Sequence, residues 1–205
     1  RGRRGRNWFS PFGGNLYLSL GWSFNAGVST LEGLSLAVGV ALARTLEQLG
    51  IEGALLKWPN DLLIDQGKVA GILIETVGDM DSHCQVVIGV GVNVRMPAAA
   101  EAAIDQRWSD LQRHLAEPLS RNRLTALLLN QLVAMLSQFH RQGFAAFAEA
   151  WNQRDLCAGQ AVVIRGLHSA IEGIACGVDQ RGGLQLRTAA GIEVIRSGEV
   201  SLRMQ

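Results

Sequence analysis

Lys57-Trp58-Pro59-Asn60-Asp61, with Lys68-Val69-Ala70-Gly71-Ile72-Leu73 close behind it, is the stretch that decides how this chain is read. It sets two ammonium groups, an amide, a carboxylate and a proline turn between strand-like apolar runs. The 19 basic residues are 17 arginines and these two lysines. A guanidinium is a planar fork suited to two oxygens, whereas an ammonium is a compact charge that approaches one. Lysine at two places only, both here, points to particular roles for Lys57 and Lys68. A charged hairpin surface is the plain alternative. Asp61 and Asn60 add a carboxylate suited to Mg2+ and a hydrogen-bonding amide, since Mg2+ is held by one or two carboxylates plus substrate phosphates.

Outward from this block, the pattern predicts a strand at 15–24, where Leu16, Leu18, Leu20 and Trp22 alternate with polar or small residues. Ser29 and Glu32 have capping-box spacing. Leu34, Val38, Leu42, Leu46 and Leu49 follow at helical spacing, with Gly50 placed as a stop, so a helix is expected over 30–49. Short strands are expected at 54–58, 62–65 and 69–77, with a turn at Gln66-Gly67, and a buried strand at 85–94. Residues 96–107 read as an alanine-rich loop with some helical tendency, ending at Trp108. A helix is expected at 122–140, broken by Gly143, and a shorter one to about Trp151. After Asp155 five short β-like runs appear, with a hairpin turn at 179–183. They predict a small SH3-like β-barrel at 156–205, behind a first domain at 1–155.

The apolar fraction of 48% suffices for a packed core, and no apolar run reaches the roughly 20 residues of a spanning helix. Three scattered cysteines (Cys84, Cys157, Cys176) read as reduced thiols of a cytoplasmic protein. The histidines lack metal-ligand spacing. A net charge of +1 excludes a wholly basic nucleic-acid coat.

Residues 1–14 (RGRRGRNWFSPFGG) place four arginines among glycines, so backbone N–H groups and guanidinium forks can crowd an anion. A solvated patch or a nucleic-acid arm is the alternative, but Trp8 and Phe9 favour a loop that folds over a ligand. Gly89 and Gly91 permit close approach to their strand. There is no Rossmann fingerprint, P-loop, Ser-His-Asp or Cys-His pattern. Clustered cations suit other chemistry, in which a carboxylate is held against a triphosphate and charge on the α-phosphate is stabilised.

Taken in order, RGRRGR-x-W-x-SPFG-x-NLY-x-S, KWPND, GK-x-AGIL-x-E and G-x-G-x-N resemble a biotin protein ligase, also called biotin–[acetyl-CoA carboxylase] ligase. With a DNA-binding domain attached, such a protein is a biotin repressor. Lipoate ligases share the fold, but KWPND with the arginine loop points to biotin. The resemblance implies an α+β fold, with a mixed β-sheet flanked by helices as in class II aminoacyl-tRNA synthetases, and the C-terminal barrel. It implies that biotin and MgATP give biotinyl-5′-AMP, and that a lysine of the biotin carboxyl carrier protein of acetyl-CoA carboxylase then takes the biotinyl group. It implies Lys68, Arg3, Lys57 and Asp61 as catalytic residues, and Arg1, Gly2, Arg3 and Lys68 as biotin ligands, with Arg3 retaining the adenylate. Arg4, Arg6, Trp8, Asn60, Asn93, Ala103, Ile104 and Trp108 would face the nucleotide or adenylate, and Asp61 would hold Mg2+. Some members dimerise edge to edge, which would use residues 74–85 here. DNA is a partner only if a helix-turn-helix domain stands upstream, and no membrane contact is expected. Family members begin their catalytic domain before this point, so part of the biotin pocket is expected to precede Arg1. The rival reading is the ligand-sensing half of a repressor that holds biotinyl-AMP without catalysis.

Overall fold

The computed structural model describes residues 8–78, 83–165, 170–196 and, for the backbone, 201–204. β1 (Leu16–Phe24), β2 (Leu55–Lys57), β3 (Asp61–Ile64), β4 (Gly67–Gly78) and β5 (Cys84–Val92) form one sheet in the order β1-β5-β4-β3-β2. Every described pairing in it is antiparallel. The parallel part of the expected mixed sheet is confined to isolated bridges, Leu56 with Asp155 and Lys68 with Trp108. β2 to β5 follow one another through tight connections, which join antiparallel neighbours and leave no room for a crossover.

Alternation along β1 works as the sequence reads it. Leu16, Leu18, Leu20 and Trp22 sit opposite buried Val92, Val90, Ile88 and Val86 and pack on the core. Helices α1 (Leu34–Gln48), α3 (Arg121–Gln142) and α4 (Ala145–Asn152) cover that face. α3 buries Leu124, Leu128, Leu132, Met135, Leu136 and Phe139 and ends at Gly143 (φ 63°). α1 departs from expectation at its start. Val28–Leu31 is a 3-10 turn, Gly33 takes φ 78°, and the α-helix begins only at Leu34. Its N-cap is Gly33, with no side-chain hydrogen bond, in place of the expected Ser29. Glu32 instead lies 2.7 Å from Arg181 Nε, in the C-terminal part of the chain.

That part holds β6 (Ala161–Arg165), β7 (Ala170–Val178), β8 (Leu184–Thr188), β9 (Gly191–Ile195) and β10 (Ser201–Met204), antiparallel in the order β10-β6-β7-β8-β9. The five expected strands are present. Among the described residues no pairing joins β9 to β10, so the strands of the expected small SH3-like barrel form an open sheet there. Its buried Val162, Ile164, Ala175, Val178, Leu184 and Leu186 are continuous with the core under α1 and α4. Among the described residues no helix is long and apolar enough to cross a membrane.

Candidate active site

The register of the first sheet assembles the site. Lys57 pairs with Asp61, Asp61 with Gly71, Gly71 with Gly91 and Gly91 with Tyr17, one transverse row across all five strands. Directly opposed residues share a face of a sheet. The helices cover the other face, so this row looks away from them, with two glycines at its centre. The Trp8 ring lies on that bare backbone: a Cβ at Gly71 would come within 2.8 Å of Trp8 Cζ3, and one at Gly91 within 3.0 Å of Cζ2.

Lys68 completes the cluster. Its Nζ lies 2.6 Å from Asp61 Oδ1 and 5.4 Å from the Trp8 ring centroid, close enough for cation–π attraction. The Lys68 and Asp61 side chains are only 15% and 24% exposed, so the pair is partly shielded from solvent. A cavity of about 10 Å³ beside Lys57, Asn60 and Asp61 has room for roughly one water. The larger hollow of about 330 Å³, lined by Phe24, Val77, Gly78 and Cys84, lies at the far end of β4 and β5, away from the lysines.

The strap at 107–110 fixes the backbone of Lys68. Lys68 N donates to Arg107 O (3.1 Å), and its carbonyl accepts from Ser109 N (3.0 Å) and Asn93 Nδ2 (3.2 Å). Gly67 makes this approach possible, because a Cβ there would lie 2.8 Å from Ser109 Cβ. The expected turn at Gln66-Gly67 is thus one residue early: Asp65 (φ 48°) and Gln66 (φ 64°) make it, and Gly67 serves close packing. Ser109 Oγ lies 3.0 Å from His114 Nε2, and His114 Nδ1 lies 3.8 Å from the exposed Asp65. The second distance is too long for a hydrogen bond. This trio is no nucleophilic triad.

The two asparagines expected at the nucleotide make backbone ties through their amide nitrogens. Asn93 is buried, and its Nδ2 also bonds Ser109 O (3.1 Å) while its Oδ1 accepts from Asn15 (3.4 Å). Asn60 Nδ2 donates to Ile72 O, and Asn60 O accepts from Ile72 N, both at 2.9 Å. Each amide ties one strand to the next. Sequence reasoning passed over Asn15, whose Oδ1 takes Val94 N (3.0 Å), although a buried polar residue before an apolar strand is a signal of such a tie.

Of the expected adenine cover, Trp108 and Ile104 cluster with Met96, Ala100 and Phe9, whereas Ala103 is exposed on the short helix α2 (Ala100–Ala103). Arg113 lies over the Trp108 ring at 4.5 Å. Trp8 Nε1 and Trp108 Nε1 are buried without a hydrogen-bond partner, so each keeps a donor in reserve. Phe9 brings the opening loop against the 96–108 segment. Biotin plus MgATP is therefore expected to slow tryptic cleavage in both segments together. Equal cleavage with and without ligand would remove that coupling. The expected site residues Arg1, Gly2, Arg3, Arg4 and Arg6 lie outside the described residues.

Asp155 and Cys157 stand beside Lys57. Burial raises Asp155 above the usual carboxylate range, partly offset by the N–H of Cys157 bonding its Oδ1. Burial pushes the Cys157 thiol up to about 11, with the Asp155 charge adding to the rise and the Lys57 charge opposing it. A carboxyl raised on folding costs stability above its folded pKa, and this cost vanishes below its unfolded value. Asp155→Asn keeps an acceptor for Cys157 N. It should raise the melting temperature at neutral pH, with the gain fading as pH falls into the ordinary carboxylate range. A gain independent of pH would contradict this.

The model of the biotin/lipoate A/B protein ligase family matches residues 1–93, and that of the biotin protein ligase C-terminal domain matches residues 158–203. The chain is 40% identical over 203 residues to the bifunctional ligase/repressor BirA of Escherichia coli K12, covering 99% of this chain and 63% of that protein. It thus spans less than two thirds of that relative. It is 32% identical over 215 residues to the biotin–[acetyl-CoA-carboxylase] ligase of Paracoccus denitrificans, covering 98% of this chain and 85% of that protein. A biotin protein ligase from Aquifex aeolicus, solved in complex with biotin and ATP, superimposes with a TM-score of 0.84 at 29% identity, covering 100% of this chain and 84% of that one.

Proposed function

This chain belongs to the biotin protein ligase family, and from that premise we propose that it is the ligase part of an enzyme that adenylates biotin with ATP and transfers the biotinyl group to a lysine of a biotin carboxyl carrier protein. One observation carries the proposal: Lys68 sits 2.6 Å from Asp61 and over Trp8, beside the glycine floor made by Gly71 and Gly91. The Trp8 ring lies on that floor, and the Lys68 ammonium beside it can meet a carboxylate brought against the ring.

Lys68 neutralises the biotin carboxylate and steadies charge on the α-phosphate as the carboxylate oxygen attacks it. Pyrophosphate leaves and biotinyl-5′-AMP remains. The ε-amine of the carrier lysine then attacks the acyl carbon, giving an amide and AMP. Lys57, at the end of the row next to Asp61, serves the departing phosphates. The resemblance assigns the arginines at 1–6, outside the described residues, to the adenylate, and Trp8, Ile104 and Trp108 shield it from water. Among the described residues no three His, Cys, Asp or Glu side chains gather to hold a metal. A lone carboxylate fits Mg2+, which takes one or two carboxylates and completes its shell with phosphates and water. Asp61 would hold it, and the ion would offset charge on the phosphates.

The proposal includes a cytoplasmic setting and a homodimer through the outer end of β4, where Val77 is 77% exposed. The likeness to BirA favours a second reading, the ligand-sensing half of a repressor, with DNA as a partner only through an upstream domain. One assay separates the readings. The chain, and a version extended at the N-terminus, are incubated with labelled biotin, ATP and a carboxylase carrier domain. ATP-dependent label on the carrier lysine supports the ligase. Tight biotinyl-AMP binding without transfer by either version would replace it with the sensor.

A further inference from the structure

β2 is three residues long, is the last strand in the order of its sheet, pairs with β3 and, at Leu56 alone, with Asp155, and carries Lys57 at its end. A strand this short at a sheet edge is prone to fraying. The chain after α4 holds it from both sides. Before Lys57, Leu56 N donates to Arg154 O (2.7 Å) and Leu56 O accepts from Leu156 N (2.9 Å). After Lys57, Trp58 Nε1 donates to Gly182 O (3.1 Å), in the turn between β7 and β8.

That turn is built to reach inward. Asp179 Oδ1 accepts from Arg181 N (2.8 Å) and Gly183 N (2.9 Å), and Gly182 takes φ 83°. A Cβ on Gly182 would lie 2.8 Å from Gly33 Cα, so the turn rests on the backbone that starts α1. Arg181 Nε lies 2.7 Å and Arg196 Nη1 3.6 Å from Glu32 Oε2, beside that contact, and Arg154 Nη2 lies 2.6 Å from Glu47 on the same helix. Leu56 and Trp58 are buried, so neither reaches a substrate. What the C-terminal module grips is the pair of residues flanking an ammonium.

We propose that the turn at 179–183, with Gly182 O on Trp58 and Arg181 on Glu32, acts with the linker at 154–156 as a clamp that positions Lys57. The phosphate end of the site thereby depends on the C-terminal module without that module touching the phosphates. The role of Lys57 at phosphates rests on the function proposed above, whereas the clamp rests on the contacts alone.

With only two lysines in the chain, amine acylation read by mass spectrometry resolves each one. Trp58→Phe keeps an aromatic ring and removes the indole N–H. Gly182→Ala strains the turn and drives it against Gly33. Both variants should raise the acylation rate of Lys57 by roughly two- to tenfold, the worth of one hydrogen bond in an opening equilibrium, with Lys68 unchanged. An unchanged Lys57 rate in both variants would overturn the clamp. So would an equal rise at Lys57 and Lys68, which would mean general loosening. A second arm adds MgATP to the unaltered chain. Failure of MgATP to slow acylation of Lys57 would sink its phosphate role, and is read separately from the ligand-free rates that decide the clamp.

Discussion

Lys68→Ala is expected to cut biotinyl-adenylate formation by roughly 10²- to 10³-fold while the chain keeps its fold, the loss typical of removing one preorganised electrostatic contact. The side chain supplies the ammonium at Asp61 and over Trp8. The backbone, not the side chain, carries the bonds to Arg107, Ser109 and Asn93, and alanine preserves all of them. The loss should therefore appear in single-turnover adenylation and leave the thermal melt nearly unmoved. Lys68→Arg restores charge but replaces a point donor with a planar fork, so it should recover little. Full activity in the alanine variant would remove Lys68 from the chemistry. A collapsed melt would recast it as structural.

Gly91→Val carries the second large effect, on binding. A Cβ at Gly91 would lie 3.0 Å from Trp8 Cζ2 and 3.1 Å from Cε2, so a valine lifts the Trp8 ring off the floor and away from Lys68. The position lies in a β-branched strand and has no positive φ, so valine suits the backbone. Overfilling of this kind corresponds to roughly 10- to 100-fold weaker biotin binding. Gly89→Val is the control. It points to the same face two residues away, where a Cβ would meet only Leu73, at 3.4 Å or more. Biotin titration of the two variants should separate them. Equal affinities would mean that the seat of Trp8 on this row does not bear on the ligand.

Local pattern carried much of the fold. Alternation along β1 marks its core face correctly, the five short runs after Asp155 are present as β6 to β10, and Gly50 (φ 77°) stops α1. What failed was decided by distant partners. Ser29 and Glu32 have the right spacing for a cap, but Glu32 is drawn to Arg181, about 150 residues along the chain, a pull no local window contains. The sequence shows the amides of Asn60 and Asn93 but not the ties they make to Ile72, Lys68 and Ser109, because register sets those partners. The lysine block was legible because lysine is so rare in this chain. The glycine floor was legible only in part: Gly91 stood out in G-x-G-x-N, whereas Gly71 gains its meaning from the register that sets it opposite Gly91.

The central claim is that Lys68, Lys57 and Asp61 bring a biotin carboxylate against the α-phosphate of ATP above that floor. Biotin-dependent exchange of labelled pyrophosphate into ATP reads this step without the carrier protein. The N-terminally extended chain should show exchange that requires both biotin and Mg2+ and is lost in Lys68→Ala. Exchange that proceeds equally without biotin, or that survives the loss of Lys68, would contradict it.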